Sequence, residues 1–341
     1  MSSKVNIGLI GAGRIGRLHA EHLAFRIPQV NLLAVSDIVL EAAQKCAAEC
    51  DIPTVTQDHQ AIMENPDIEA VVICSSTDTH AQMIEEAAAA SKHIFCEKPI
   101  DFDLARIDRA LAAVEKAGVK LQVGFNRRFD ANHIRVRQAV EQGEIGQPHL
   151  LHIISRDPAP PPIEYVKVSG GIFLDMTIHD FDMARFLIGS EVEEVYAVGG
   201  VMVDPAIGEV GDIDTTVITL RFENGVIGTV DNSRQAVYGY DQRVEVFGSK
   251  GSISTGNNYP NTATIHGAQK VHRDLPFNFF MDRYIESYIA ELKAFVGCIQ
   301  QGTEPPVTGQ DGRTPVVMGL AARKSYEENR PVKVSEISSA S

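Results

Sequence analysis

Four stretches of this sequence bring together residue types whose spacing suits chemistry. Gly11-Ala12-Gly13-Arg14-Ile15-Gly16 spaces three glycines as G-x-G-x-x-G, a pattern that suits phosphates and also occurs in ordinary turns. Phe95-Cys96-Glu97-Lys98-Pro99 closes an apolar run with a cation, which either points into a ligand crevice or is simply an exposed lysine. Asp175 and His179 are four apart, so on a helix they share one face, as a site or as a local ion pair or cap. Gly124-Phe125-Asn126-Arg127-Arg128-Phe129 concentrates polar and basic groups that suit a ligand or a salt bridge closing two domains.

The elements that must position these groups follow from hydrophobic periodicity. Short apolar runs at 5–10, 32–35, 70–74, 93–96 and 121–125 alternate with helical patterns at 15–25, 39–50, 79–90 and 103–117. Near-continuous apolar strands between helices indicate parallel strands covered on both faces, a doubly wound Rossmann sheet over residues 1–125. Beyond Phe125 the pattern changes. A helix at 132–142, a strand at 149–155, a proline-rich loop at 158–162 and a helix running from Gly171 to about Ile188 are followed by strands at 215–222, 226–232 and 243–247. Helices return at 284–300 and 315–329. Residues 126–341 therefore read as an α+β domain with a large, mainly antiparallel sheet.

Context turns the glycine pattern into a specific signal. It follows a strand, opens a helix and precedes Asp37 at the end of the next strand, about twenty residues on, as a dinucleotide fingerprint requires. Gly11 would make the tight turn, Gly13 would let backbone approach the pyrophosphate, and Gly16 would let the helix pack on the strand. The helix start, Arg14 and Ile15 included, offers free N–H donors to phosphate. A carboxylate at Asp37 accepts from ribose hydroxyls and repels a 2′-phosphate, and Ile38 stands where an arginine would welcome one. NAD is favoured over NADP. Asp37 also suits a helix N-cap, which is compatible with that role.

Composition narrows the partners. Thirty-one basic against 45 acidic residues give a net charge of −14, which repels nucleic acid and anionic lipid. No window approaches the roughly 18 apolar residues of a membrane span, and residues 1–4 lead into a strand without a leader pattern. Five cysteines, an odd number in a long chain, read as reduced thiols. These features point to a cytoplasmic protein.

In order and separation, the three-glycine turn, Glu97-Lys98-Pro99, Gly124 to Arg128 and Asp175-x-x-x-His179 resemble the glucose-fructose oxidoreductase / inositol dehydrogenase / rhizopine catabolism (Gfo/Idh/MocA) family over essentially the whole chain. Ser155-Arg156-Asp157-Pro158, Ser169-Gly170-Gly171 and Asp175 to Asp182 bring the resemblance nearest to members that oxidise inositol at carbon 2. The resemblance implies that the sheet of the second domain is open, in a domain that binds substrate and mediates oligomerisation. It implies Lys98, Asp175 and His179 as the catalytic set, with no metal. It also implies cofactor contacts from Ser75, Thr77, His80, Glu97 and Asn126, with Ser76 standing where the family commonly has proline. Arg128, Asp157 and Tyr240 become candidates for reading substrate hydroxyls. The implied activity is NAD-linked oxidation of a secondary hydroxyl of a polyol, myo-inositol first, in a homotetramer. Another inositol isomer or a pyranose sugar, and a non-catalytic NAD-binding regulator, are the alternative readings.

Overall fold

Strands without a polar face need cover on both sides, and the first third of the chain supplies it with helices. The structure is a computed structural model that describes residues 4–337. Strands β1 (Val5–Ile10), β2 (Val30–Ser36), β3 (Thr54–Thr56), β4 (Ala70–Ile73), β5 (His93–Cys96) and β6 (Leu121–Val123) form one parallel sheet in the order 3-2-1-4-5-6. Between them run α1 (Arg14–Phe25), α2 (Leu40–Cys50), α3 (Gln60–Met63), α4 (Thr77–Ala89) and α5 (Leu104–Ala117). The order reverses between β1 and β4, and a ligand crevice opens at the carboxyl ends of strands flanking such a reversal. Asp103 caps α5 through bonds to the amides of Ala105 and Arg106, and Gly118 ends it in the left-handed conformation.

The second unit comprises α6 (Ala131–Glu141), β7 (Pro148–Arg156), α7 (Ile163–Val166), α8 (Gly171–Asp175), α9 (Thr177–Ile188), β8 (Val192–Gly200), α10 (Pro205–Glu209), β9 (Thr215–Phe222), β10 (Ile227–Ser233), β11 (Asp241–Gly248), β12 (Gly251–Thr255), a hairpin of β13 (Thr264–His266) and β14 (Val271–Arg273), and α11 (Phe280–Arg283). The chain ends with α12 (Ile285–Gln301), α13 (Gly309–Glu328) and β15 (Val332–Lys333). Seven strands pair in the order 12-11-7-10-9-8-15, all antiparallel except β7 with β10. Alternation decides which face is covered. On β9, Thr216, Ile218, Leu220 and Phe222 are buried, under Phe181, Leu187 and Ile188 of α9 and Met318, Ala321 and Ala322 of α13.

Three sequence expectations change. The helix expected after Gly171 and running to about Ile188 is two helices, interrupted at Met176, whose φ −95°, ψ −59° still lie in the right-handed region. Asp175 therefore ends one helix and His179 sits in the first turn of the next. The last long helix starts at Gly309 rather than Pro315 and carries the proline inside it. A capping box explains the early start: the Thr308 amide donates to Asp311 and the Asp311 amide donates back to the Thr308 hydroxyl. Finally, the division at residue 125 is incomplete. Residues Glu286–Thr314 fold with the first unit, where Leu292, Phe295 and Val296 complete its core beside Leu23 and Phe95. Residues 127–285 and 315–337 form the second.

Phe181 is fully buried at the centre of the second core. Phe181→Ala should destabilise that unit by about 3–5 kcal/mol, read as a lower denaturant midpoint. A loss under about 1 kcal/mol would mean that the contact between α9 and the sheet is loosely packed.

Candidate active site

The first unit builds a cradle at the β1–α1 turn. Gly11 has φ +95°, and a Cβ there would stand 2.6 Å from the backbone of Cys74. A Cβ on Gly16 would run into the Gly11 carbonyl oxygen, so only glycine lets α1 approach the turn this closely. Gly13, by contrast, faces open space with nothing within 4 Å of its would-be Cβ, which leaves its backbone approachable. Arg14 and Ile15 begin α1, the arginine exposed and the isoleucine half-buried. Asp37 closes the cradle: Oδ2 accepts from the Ala12 amide at 2.7 Å and Oδ1 from the Val39 amide at 2.8 Å. The second bond closes a local turn just before α2, whose N-cap position is Val39 rather than Asp37.

Beyond β4, the Ser75 hydroxyl pairs with that of Thr79 at 2.7 Å, and Thr77 is the first residue of α4. The buried His80 ring lies between the carbonyl oxygens of Pro99 and Ser75, at 2.8 and 3.0 Å. Burial lowers its pKa, and a neutral ring donates to one of the two, so His80 ties this loop to the turn after β5. In that turn the Lys98–Pro99 peptide is cis and Lys98 is half-buried. Glu97 is buried. Its carboxyl contacts His19 Nε2 at 2.7 Å, accepts from the Lys98 amide at 3.3 Å and lies 3.0 Å from where a Cβ on Gly124 would be. Glu291 of α12 completes a cluster with His19 and Glu97, all three ligand atoms within 4.8 Å of one another. Neither glycine spacing nor periodicity signals this cluster, because its members are 272 residues apart in the chain at the extremes (291 − 19). Asn126, also buried, presents an Nδ2 with no hydrogen-bond partner among the described residues.

The second unit gathers carboxylates, a histidine and buried arginines. Asp175 accepts from the Tyr165 hydroxyl at 2.8 Å through Oδ1 and from Arg234 at 3.1 Å through Oδ2. His179 is half-buried, its amide bonded to the Met176 carbonyl at 3.3 Å. Arg127 donates to Asp180 at 2.6 Å and to the Tyr240 hydroxyl at 3.1 Å. Burial alone would weaken its protonation, but Tyr240, Tyr284 and Asp180 hold it firmly cationic. Asn232 of β10 links the same Asp180, at 2.8 Å, to the Thr177 hydroxyl at 2.6 Å, anchoring the start of α9.

Two of the three residues expected to read hydroxyls are held by neighbouring side chains. The Arg128 guanidinium is held in bidentate fashion by Asp182, at 2.6 and 3.0 Å, and stacks over Phe186. The buried Tyr240 hydroxyl accepts from Arg127. Asp157 differs. Its carboxyl accepts no hydrogen bond from the described residues, and burial, reinforced by neighbouring Asp175, pushes its pKa up to about 6. Tyr165, Arg234 and Asp212 went unread in the sequence, because they carry no motif: the first two meet Asp175, and Asp212 meets Arg234, only through the fold.

A doubly wound sheet with a three-glycine turn and a carboxylate at the next strand's end, followed by a unit of carboxylates and histidine on an open sheet, defines the class of NAD-binding oxidoreductases. Comparison supplies the family. Residues 5–125 match the oxidoreductase family with an NAD-binding Rossmann fold, and residues 133–254 match the GFO/IDH/MocA C-terminal domain. The chain therefore belongs to the Gfo/Idh/MocA oxidoreductase family. It is 52% identical over 334 residues to the uncharacterized oxidoreductase YrbE of Bacillus subtilis, covering 98% of each chain. It is 49% identical to the myo-inositol 2-dehydrogenase of Thermotoga maritima, covering 98% of this chain and 99% of that one. The scyllo-inositol dehydrogenase of Lactobacillus casei, solved with NAD(H) and scyllo-inositol, superposes with a TM-score of 0.92 at 31% identity, covering 98% of this chain and 100% of that chain.

The cradle fits NAD: its three glycines leave backbone room where a pyrophosphate needs it, Asp37 offers a ribose acceptor, and Asn126 offers an unsatisfied amide donor. The protein is an NAD-dependent enzyme. All five cysteines are buried and unpaired with one another, and no helix among the described residues is long and apolar enough to cross a membrane. Asp37→Ala should lower the preference for NAD over NADP by about tenfold or more, measured as the ratio of kcat/KM values. An unchanged ratio would remove Asp37 from ribose recognition.

Proposed function

We propose that this enzyme oxidises one secondary hydroxyl of an inositol, myo-inositol at carbon 2, giving the 2-keto product and NADH. What carries this reading is the whole-length similarity to enzymes named for inositol oxidation, in a chain whose second unit holds Asp175 between a tyrosine hydroxyl and a guanidinium. Oxidising an alcohol removes a hydride from carbon and a proton from oxygen, and bound NAD accepts the hydride.

We assign the protein's share of that reaction as follows. His179, whose side-chain type titrates near operating pH, takes the hydroxyl proton. Lys98 donates to the same oxygen and stabilises the charge developing there. Asp175, which accepts from the Tyr165 hydroxyl, orients the imidazole. Ser75, Thr77, His80 and Glu97 shape the loops on the cofactor side, and Asn126 donates to the nicotinamide amide. Hydroxyl recognition falls to Asp157, the carboxyl without a bond of its own, while Arg128 and Tyr240 brace the surrounding wall. A site of committed polar groups rejects analogues lacking a matching hydroxyl more strongly than an apolar pocket does.

We also assign the uncovered face of the seven-stranded sheet to further copies of this chain, in a homotetramer. Phe247, Leu150 and Ile227 form an apolar row across three adjacent strands, each exposed by 37–49%, and Val198 lies beside Val217.

Lys98→Ala and His179→Ala should each lower kcat by about 10²–10⁴-fold with NAD affinity nearly unchanged. An equal loss of NAD binding in His179→Ala would refute its role as base. NADH formation across a panel of myo-inositol, scyllo-inositol, other isomers and pyranoses identifies the substrate, and a preference for a pyranose would overturn the inositol reading. Val217→Asp should shift the sedimentation profile from tetramer toward smaller species; a wild-type protein that sediments only as monomer would end the assembly proposal.

A further inference from the structure

Arg234 is the largest side chain in the fully buried set, at 1% exposure, and it is used by nothing in the mechanism above. It follows β10 directly, with its amide held by the Asp214 carbonyl at 2.8 Å. Its guanidinium lies between two carboxylates: Nη1 donates to Asp175 Oδ2 at 3.1 Å, and Nη2 stands 3.6 Å from Asp212 Oδ2. Asp212 in turn accepts from the Ile172 amide at 3.1 Å, at the start of α8. Gly171, at φ +77°, allows this approach, since a Cβ there would sit 2.8 Å from Asp212 Oδ1. The five-residue helix is thus gripped at its start by Asp212 and at its last residue, Asp175, by Arg234, with one guanidinium joining the grips.

We propose that Arg234 is a positioning residue for the reaction, fixing the orientation of the Asp175 carboxylate so that it can serve His179. The inference rests on the assignment of Asp175 and His179 given above. Two features favour it over a purely structural bridge. First, the partner is the last residue of a helix that breaks at Met176, where backbone hydrogen bonding alone leaves the side chain least constrained. Second, one cation serves more than one carboxylate: Arg234 also acts on Asp157, opposing the upward push of burial and of Asp175. The charged groups that face Asp157 are Asp175 of α8, Asp180 of α9, Arg127 and Arg234, so removing Arg234 leaves three carboxylates against Arg127 alone.

The sign of the consequence is fixed. Arg234 lowers the Asp157 pKa from where burial would put it, so its loss moves that titration to higher pH. Arg234→Gln should cut kcat by about 100-fold, change NAD affinity by less than about threefold, and move the acid limb of the kcat/KM profile upward. Arg234→Lys, which keeps the charge without the fork, should recover part of kcat and return the acid limb toward its original position. If Arg234→Gln fails to fold, Asp212→Asn loosens the same grip with the guanidinium retained, and a tenfold or greater fall in kcat is expected.

Near-normal kcat with an unmoved pH profile in the folded variant would overturn the proposal. So would a loss confined to thermal stability. Asp175→Asn, measured in parallel, separates the two levels. If it remains active, the underlying assignment has failed. If it is inactive while Arg234→Gln is active, only the role of Arg234 has failed.

Discussion

A guanidinium taken out of water has to be answered by carboxylates, and the second unit is organised around that requirement. Arg127, Arg234 and Arg283 are all more than nine-tenths buried. Each meets an aspartate from a separate stretch of chain: Asp180, Asp175 and Asp130 respectively. Breaking one such pair strands its partner, at a cost of roughly 3–5 kcal/mol, so the pairs act as fixed pins even where their net contribution to stability is small. Arg127 pins the start of α9, Arg283 pins the start of α6 through the residue that caps it, and Arg234 pins the end of α8. The polar wall around Asp175 is therefore rigid because its charges have few alternative arrangements.

The first unit meets a different constraint, steric rather than electrostatic. Its cradle exists because two backbone segments approach to distances that no side chain permits, at Gly11 against Cys74 and at Gly16 against Gly11. The Asp37 carboxyl then bonds the amide of Ala12 within that turn, so a side chain from the end of the next strand braces the glycine loop.

Much of this was legible in the sequence. Every strand of the parallel sheet except Thr54–Thr56 announced itself, because a strand buried on both faces must be apolar throughout. The glycine turn and Asp37 were legible because their chemistry is local. Legibility failed where contacts are long-range. Nothing near Asp175 in the chain foretells Arg234, and nothing near Glu97 foretells Glu291. The break at Met176 was hidden because residues 171–188 keep a helical composition through it. The early start of α13 was signalled by Thr308 and Asp311, but Pro315 offered a more familiar beginning.

The return of Glu286–Thr314 to the first unit has a consequence for biogenesis. Leu292, Phe295 and Val296 are the last pieces of a core whose first strand begins at Val5. A ribosome must therefore have passed Val296 before the nucleotide-binding unit can complete the core over its own sheet. Until then the nascent Rossmann layer presents an apolar flank around Leu23 and Phe95, a surface that chaperones would be drawn to during synthesis.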